Sequence, residues 1–323
     1  MRRFSPFLLL LLPACKTPPP APEGLDDASR YLVREFYADD ATFQAGVQGL
    51  MTWFDEEGNA LVGVDASIDG STEGSKPVDA FTVGTLESSD VVALPLKTDL
   101  DGGPDAAGAT TVRDLGSAAG VVSVAEMDCD WKKAEGLLAR PDQDVIFDGD
   151  WEGYERTYIT SRDTFEGATS DEEFAEIPER LDPFADGFDA TAYASSLMFT
   201  GNQVDPTPLM GVDLPAYPME LDLRHGIFEL ADGSKVGMLA ILTYTVDAAW
   251  DPAGNSGLRQ SFSIEVDAER PDGKTLRTLA VWAEPVSSVI EPDSPLSLTY
   301  AVNKSLASSE RISDVCSGKV SIE

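Results

Sequence analysis

Short segments of strand-forming residues follow one another along the second half of the chain. Their residues are apolar, β-branched or alternate between apolar and polar, which is the period-2 pattern of strands. These segments are residues 219–223, 226–230, 236–246, 260–266, 275–286 and 296–302. The dipeptides Asp232-Gly233 and Asp272-Gly273 separate neighbouring segments, and Asp-Gly favours tight hairpin turns. We therefore expect an antiparallel meander that forms a curved sheet or a partial barrel, with the nearly continuous apolar run 238–244 as a central strand covered on both faces.

Apolar residues at helical spacing recur in the first half of the chain. The helices that they predict cover residues 25–37, 40 to about 50, 130–140 and 170 to about 181. Pro141 ends the third of these helices, and a capping box that begins at Ser170 starts the fourth.

Short strands and loops are expected between these helices. The predicted strands are residues 50–54, 60–64, 78–83 and 91–96, the first two forming a hairpin around the turn 55–59. Residues 66–76 and 99–110 are rich in Gly, Ser, Asp and Ala without a period, which predicts loops. The resulting fold class is strand-rich α+β, with N-terminal helices and short strands followed by the antiparallel meander.

The pattern changes near residue 185, and this change suggests a division of the chain. It separates a mixed α/β region, 25–184, from an antiparallel β region, 185–323. A chain of 323 residues is long enough for one large domain or two modest ones. One continuous domain is therefore the alternative to two.

The chain begins like an exported protein. Arg2 and Arg3 precede an apolar run, residues 4–12, of signal-peptide length, which is too short to remain as a membrane-spanning helix. The run ends in Leu12-Pro13-Ala14-Cys15, which resembles the lipobox of bacterial lipoproteins: a leucine lies three positions before the cysteine and a small residue lies directly before it. The alternative is an ordinary secretory signal with an incidental cysteine.

The resemblance to a lipobox implies a processed, lipid-anchored protein of the cell envelope. Residues 1–14 are then removed as the signal peptide, the thiol of Cys15 receives a diacylglycerol, and the new amino terminus is acylated, for example with palmitate. Residues 15–24 contain four prolines and cannot pair in a sheet, so we expect a semi-rigid tether. Lys16 follows the cysteine, and this favours the outer membrane, at its periplasmic face or at the cell surface. The membrane is thus an expected partner.

The chain contains three cysteines. If Cys15 carries lipid, Cys129 and Cys316 remain in an oxidising compartment, where thiols pair. We therefore expect a disulfide bond between these two residues. Two independent buried thiols are the alternative.

The strongly acidic composition excludes one class of partner. Asp and Glu number 57 against 23 Lys and Arg, which gives a net charge of −34. Because nucleic-acid binding needs a basic surface, we expect no nucleic-acid partner. The same charge opposes an electrostatic attachment to anionic lipids in addition to the lipid on Cys15.

One stretch imitates a nucleotide-binding motif. Residues 268–275 match a loose P-loop pattern that has alanine at its first position and ends in Gly273-Lys274-Thr275. A P-loop needs a helix after the turn, so that the amides of the helix face the phosphate. Residues 275–282 alternate like a strand instead. We therefore expect a hairpin turn, no nucleotide site and no cofactor.

His225 is the only histidine, so any Ser–His–Asp or Cys–His arrangement would have to use it. The residues around it predict a strand end, and the sequence contains neither Gly-x-Ser-x-Gly nor Ser-x-x-Lys. We therefore assign no catalytic residue. Zinc is not expected, because one histidine and two paired cysteines do not supply its ligands.

An acidic stretch near the middle of the chain offers oxygen ligands for calcium. Asp148, Asp150 and Glu152 copy the first half of an EF-hand loop, but Ile159 stands where that loop has its bidentate glutamate. A second acidic loop contains Asp99, Asp101 and Asp105. These residues are candidates only, and no metal site is assigned.

Four aromatic residues surround the first acidic stretch. They are Trp131, Trp151, Tyr154 and Tyr158, and together they could stack against a sugar. We favour the simpler interpretation that they belong to the core.

These observations favour a lipid-anchored, non-catalytic envelope protein that binds a small or apolar ligand or a partner protein. One alternative is a carboxylate-based hydrolase that acts on envelope or extracellular glycans; the other is a structural component of a surface assembly. An apolar cavity inside the meander would favour the ligand-binding protein. Two converging acids with raised pKa values would favour the hydrolase, and a flat apolar patch would favour the assembly component.

Overall fold

A large antiparallel sheet organises the part of the chain that the computed structural model describes. This part comprises residues 19–96, 99–101, 110–159, 196–208, 212–251 and 255–322. The helices described are α1 (Gly24–Arg34), α2 (Asp40–Glu56), α3 (Trp131–Ala139), α4 (Gln143–Ile146) and α5 (Pro295–Cys316). Single turns of 3-10 helix cover residues 58–61, 78–81 and 115–117.

The strands vary in length from two to fourteen residues. The short ones are β1 (Ala66–Ser67), β2 (Lys76–Pro77), β3 (Thr82–Val83), β4 (Asp99–Asp101), β5 (Thr110–Val112) and β11 (Ala249–Trp250). The long ones are β6 (Ala119–Met127), β7 (Trp151–Ile159), β8 (Ser196–Pro206), β9 (Tyr217–Glu229), β10 (Lys235–Tyr244), β12 (Ser256–Glu269) and β13 (Thr275–Ser287).

Nine of the described strands form one curved sheet. Their order is β3-β6-β13-β12-β10-β9-β8-β7, with β11 paired to β12, and each neighbouring pair is antiparallel. Since β3 and β7 lie at opposite ends of this order, the described sheet does not close into a barrel. The strand-rich α+β fold with a C-terminal antiparallel meander is therefore confirmed.

The two predicted Asp-Gly hairpins are also confirmed. The turn at Asp232-Gly233 joins β9 to β10, and the turn at Asp272-Gly273 joins β12 to β13. Both glycines have positive φ angles, 81° and 79°, which a side chain disfavours. Because Thr275 begins a strand and not a helix, the P-loop pattern is a hairpin turn, as expected.

Helices cover both faces of the sheet. Helices α1 and α2 pack on one face, where Met238, Ala240 and Leu242 of β10 belong to the main hydrophobic core. Helices α3, α4 and α5 cover the other face, where Leu239 and Ile241 of the same strand belong to a second core. Strand β10 is thus a central strand buried on both sides, as its continuous apolar run predicts.

The prediction of a hairpin from residue 50 to residue 64 is wrong. Helix α2 continues to Glu56, and a 3-10 turn follows at residues 58–61. Phe43, Val47, Leu50 and Phe54 are buried at helical spacing along α2, so the apolar run that suggested a strand is the C-terminal part of this stripe.

The prediction of a strand at residues 296–302 is wrong as well. These residues begin α5, a helix of 22 residues whose N-cap Ser294 accepts a hydrogen bond from the backbone N–H of Ser297 (3.2 Å). Pro295 occupies the first helical turn, where its missing N–H costs nothing. The buried positions of α5 include two serines, Ser309 and Ser313, so its apolar period is faint.

The remaining predictions for the first half have mixed outcomes. The helices at residues 25–37 and 130–140 are confirmed as α1 and α3. The predicted strand 78–83 is a 3-10 turn followed by the two residues of β3, and 91–96 is not a strand. The predicted loop 66–76 lies between the paired strands β1 and β2, whose residues it partly includes. Of the predicted loop 99–110, residues 99–101 and 110 belong to β4 and β5, and residues 102–109 lie outside the described residues.

Several predictions lie outside the described residues or stay predictions. The signal peptide 1–14, Cys15 and the helix from Ser170 lie outside the described residues. The division at residue 185 stays a prediction, although β6 and β7 share a sheet with β8 to β13. Within the described ranges, no helix is both long and apolar enough to span a membrane.

Candidate functional site

A cavity of about 320 Å³ lies between α5 and the sheet face that α5 covers. Helix α5 contributes Tyr300, Lys304, Ser305 and Ser308 to its wall. Tyr300, Lys304 and Ser308 recur every four residues, and Ser305 lies next to Lys304, so these residues follow one side of the helix. The sequence predicts a strand at residues 296–302 and no helix beyond it, so none of these residues stands out before the structure.

Strands β12 and β13 form the floor of the cavity. Ser261 lies directly opposite Ala283 in the antiparallel register, and Leu279 lies four residues before Ala283 on the same face. Ala283 is small, so this part of the floor leaves space beneath the helix. The meander therefore supplies a mostly apolar surface to this cavity, which lies between the sheet and α5 and not inside the meander.

Aromatic residues contribute to the remaining wall. Trp151 begins β7 and Tyr217 begins β9, and both line the cavity. The rings of Trp151 and Tyr154 lie with their centroids 5.9 Å apart. Burial raises the pKa of the Tyr217 phenol to about 12, so this group is neutral at physiological pH.

An ion pair links the two sides of the cavity. The carboxylate of Asp150, directly before β7, accepts a hydrogen bond from Nζ of Lys304 on α5. The backbone carbonyl of Asp150 accepts two further hydrogen bonds, from the N–H (3.1 Å) and the hydroxyl (3.2 Å) of Thr207. Asp150 is thereby held in place between α5 and the end of β8.

The calcium candidates are not brought together as a metal site. Asp150 pairs with Lys304, and Asp148 forms an isolated backbone bridge with Trp151. Among the described residues, no group of three or more His, Cys, Asp or Glu side chains could hold a metal ion, and Asp148, Asp150 and Glu152 are no exception. Asp105 lies outside the described residues.

Of the aromatic residues considered for sugar stacking, Trp151 and Tyr154 contact each other, whereas Trp131 packs against strand β10. Trp131 on α3 is 2% exposed and packs against Gly237 of β10, while Trp151 lines the cavity. The side chain of Tyr158 lies outside the described part of the structure. Trp131 therefore belongs to the core, as favoured from the sequence. Trp151 lines the cavity under α5 and not a sugar-stacking cleft.

A buried charged cluster lies on the same face of the sheet. Arg277 of β13 donates hydrogen bonds from Nε and Nη2 to the two carboxylate oxygens of Glu265 on β12, each 2.7 Å long. Its Nη1 donates to the hydroxyl of Ser309 on α5 (2.7 Å). The cluster thus ties the middle of α5 to the sheet, one helical turn beyond the cavity-lining Ser305.

Asp267 completes this cluster without a hydrogen bond of its own. The residue is fully buried, and neither carboxyl oxygen has a hydrogen-bond partner among the described residues. Burial, reinforced by the nearby Glu265, raises the pKa of Asp267 well above its ordinary value. Glu265 and Asp267 do not line the cavity, so this pair of acids is covered by helices and not presented to a substrate.

His225 lies inside strand β9 and not at a strand end, so that prediction is wrong. Its Nδ1 forms a hydrogen bond with the carboxyl group of Glu135 on α3, and burial raises the pKa of Glu135. The pair connects α3 to the sheet opposite Leu239. This contact supports a structural role for the histidine.

Cys129 and Cys316 lie at disulfide distance, with Cα atoms 5.4 Å apart. Cys129 precedes α3 and Cys316 is the last residue of α5. A bond between them closes a segment of 187 residues and fixes the C-terminal end of α5 beside α3. The cavity lies nearer the other end of this helix.

Other depressions on the described surface are more open to solvent. They measure about 550 Å³ beside Pro19 and α2, about 650 Å³ beside α1, and about 420 Å³ beside Tyr154. The smaller space under α5 is more enclosed and combines a mostly apolar wall with a few polar groups, which is the usual composition of a small-molecule site.

Comparisons with known proteins give partial structural likenesses. A START superfamily protein from Mycobacterium smegmatis aligns with 62% of this chain and 99% of its own, at 8% identity and a TM-score of 0.33. A truncated norcoclaurine synthase from Thalictrum flavum aligns with 63% of this chain and 97% of its own, at 9% identity and a TM-score of 0.27. Likenesses at these TM-scores carry no argument about function. No protein-family model matches the sequence, and no curated protein matches it.

Proposed function

We propose that the protein is a lipid-anchored envelope protein that binds a small, mostly apolar ligand in the cavity under α5, without catalysing a reaction. The single observation that supports this proposal best is the cavity itself. It lies between a helix and a sheet, its floor is mostly apolar, and its volume of about 320 Å³ suits a small organic molecule.

Burial of apolar ligand surface supplies the binding free energy in this proposal. Each Å² of apolar surface removed from water contributes roughly 25 cal/mol, and a cavity that already exists requires little reorganisation. Leu258, Leu279 and Ala283 offer such surface from the sheet, and Tyr300 offers it from the helix.

The lipid anchor is the part of the proposal that comes from the sequence. The lipobox-like residues Leu12 to Cys15 and the proline-rich tether support attachment to a membrane through Cys15. A tethered binding protein would hold its ligand at the membrane surface, and the outer membrane is the proposed location.

A cavity-filling variant tests the binding function. Ala283→Phe places a ring in the floor of the cavity, whereas Ala307→Phe makes the same change at an exposed position of α5. N-phenyl-1-naphthylamine, an apolar dye that fluoresces on burial, serves as the probe. We expect the wild-type protein and Ala307→Phe to enhance its fluorescence and Ala283→Phe to do so at least several-fold less.

A second filling variant guards against misfolding of the first. Ser308→Phe approaches the same space from α5, and circular dichroism identifies any variant that has lost its fold. Equal dye binding by the wild-type protein and by both folded, filled variants would refute the proposal.

A further inference from the structure

The proline-rich segment after the lipobox-like residues is docked on helix α2. A β-carbon added to Gly49 of α2 would lie 2.5 Å from the backbone carbonyl oxygen of Pro22 and 2.7 Å from its Cγ. Pro22 therefore rests directly on this glycine, and only a residue without a side chain leaves room for the contact. The segment is thus part of the folded body of the protein from Pro22 onward.

Small residues extend this contact toward the start of α2. Ala41 and Ala45 precede Gly49 at intervals of four residues, so the three lie on the same side of the helix. Pro19 lines a depression of about 550 Å³ together with both alanines. Residues 19–22 therefore follow α2 from Gly49 back toward its N-terminal end.

The turn between β9 and β10 lies along the other side of this depression. Nε2 of Gln44 donates a hydrogen bond to the backbone carbonyl of Glu229, and Oε1 of Gln48 accepts one from the backbone N–H of Ala231 (2.6 Å). The docked segment, the first half of α2 and this turn thus form one surface. This surface, named the α2 face, comprises Pro19, Ala41, Ala45 and residues 229–231.

Docking shortens the reach of the tether. If Cys15 carries the lipid, four residue steps separate it from Pro19, and a chain spans at most about 3.6 Å per residue. Pro19 then lies within about 14 Å of Cys15, however the residues between them are arranged. A tether that was free as far as Gly24 would reach about 32 Å. The docked segment therefore keeps the α2 face near the lipid.

The cavity under α5 lies at the opposite end of the sheet. Strand β9 has 13 residues, begins at the cavity-lining Tyr217 and ends at Glu229 of the α2 face. At about 3.3 Å per residue, the two ends of this strand lie roughly 40 Å apart. The cavity is also on the sheet face that α5 covers, whereas α2 packs on the other face.

We infer that the protein turns its α2 face toward the membrane and its cavity under α5 away from the membrane. This inference rests on the lipid anchor of the proposed function and adds the orientation of the anchored protein. The α2 face includes the acidic Glu229 and no basic residue, so the docked segment sets the orientation without attraction to anionic headgroups. The ligand is then held close to the membrane, but on the aqueous side of the protein.

Energy transfer from the protein to the lipid surface measures this orientation. The lipidated protein is placed in phosphatidylcholine vesicles that contain a rhodamine-labelled lipid as the acceptor. A fluorescent donor is attached at Ser234→Cys, in the turn between β9 and β10, or at Val289→Cys. Val289 is 72% exposed and lies four residues after the cavity-lining Pro285. Because transfer falls steeply with distance, we expect it to be several-fold more efficient from position 234.

The donor can be directed to these positions with the native cysteines in place. Cys15 is blocked by its lipid, and Cys129 and Cys316 lie at disulfide distance. The introduced thiol is therefore the one that reacts.

Gly49→Ala tests whether the docked segment sets the orientation. The added β-carbon overlaps the carbonyl of Pro22, so the segment must leave α2, while alanine favours the helix more than glycine does. Since the free tether is then longer, we expect the difference in transfer between positions 234 and 289 to shrink. Thr52→Ala, at an exposed position of the same helix, should keep the wild-type difference.

A second variant weakens the same contact from the side of the tether. Pro22→Gly removes the ring that lies on Gly49 and leaves α2 unchanged. It should shrink the difference in transfer as Gly49→Ala does, and circular dichroism identifies any variant that has lost its fold.

The outcomes separate the orientation from the anchor. Equal transfer from the two positions in the wild-type protein, or more from position 289, would overturn the orientation and leave the anchor and the ligand-binding function standing. An unchanged difference in folded Gly49→Ala and Pro22→Gly would overturn the role of the docked segment. A mature protein without acyl mass on Cys15, which does not bind the vesicles, would overturn the anchor and the inference together.

Discussion

Arg277 on strand β13 holds Glu265 on strand β12 through two hydrogen bonds of 2.7 Å, in a site from which water is almost excluded. The same guanidinium reaches Ser309, so the pair fastens α5 to the sheet. The roof of the proposed cavity therefore depends on a charged cluster that lies outside the cavity.

Removing the cation of this cluster should destabilise the protein strongly. Arg277→Met leaves Glu265 buried without a counter-ion, and breaking a buried pair in this way typically costs about 3–5 kcal/mol. Urea unfolding followed by circular dichroism measures the loss. Lys319→Met, at the exposed pair with Asp314, is the control and should change little. Equal stability of the two variants would show that the cluster does not hold α5.

Asp267 should make stability depend on pH. The pKa of Asp267 is raised in the folded state, so folding favours the protonated form of this carboxyl group. The resulting stabilisation is complete at pH values below the pKa of an unfolded aspartate, which is about 4. It is lost as the pH rises through the raised pKa of the folded state. Asp267→Asn stays neutral, so the variant should gain stability relative to the wild-type protein as the pH rises above about 4.

Unfolding curves of both proteins across this range test the sign of the effect. Asp79→Asn, a change at an exposed residue, should follow the wild-type protein at every pH. If the wild-type protein instead becomes more stable relative to Asp267→Asn as the pH rises, the carboxyl group of Asp267 is ionised in the folded state.

The cysteine pair should be oxidised in the mature protein. Thiol titration of the unfolded, unreduced chain should then find neither Cys129 nor Cys316 free. Replacing both by serine should cost about 2–5 kcal/mol, because the unfolded chain loses a constraint that closes a long loop. Two titratable thiols would leave the pair as independent buried cysteines.

Lipidation of Cys15 has a direct signature in mass. The protein purified from its own membranes should lack residues 1–14 and carry acyl chains on Cys15. Cys15→Ser should accumulate as an unprocessed precursor, because the lipobox cysteine is the acceptor of the lipid. Normal maturation of this variant would contradict the lipobox interpretation.

Local chemistry explains why parts of the fold follow from the sequence. Glycine at Gly233 and Gly273 permits the positive φ angle of a hairpin turn, and this preference acts within four residues. The run from Met238 to Tyr244 predicts burial on both faces because nearly every residue in it is apolar. Such signals do not depend on the rest of the chain.

Other elements depend on contacts that the sequence does not display. The buried side of α5 includes Ser309 and Ser313, which bond to Arg277 and to the N–H of Asp128, so its helical period is faint. An apolar run as short as residues 50–54 fits a strand and a helix equally well, and only packing on the sheet selects the helix.

The candidate site was predictable in part for the same reason. Asp150 and Trp151 stood out in the sequence, but as possible ligands for calcium or a sugar. Their neighbours Lys304 and Ser308 lie more than 150 residues away and meet them only through the placement of α5. No local pattern connects these two segments.

Native mass spectrometry of the protein released gently from its own membranes tests the central proposal most directly. We predict a small organic molecule bound in about equal amount to the protein, retained in Ala307→Phe and lost in Ala283→Phe, because only the second change fills the cavity. A bound molecule that survives Ala283→Phe in a folded protein, or a wild-type protein that carries none and binds no apolar probe, would contradict the account.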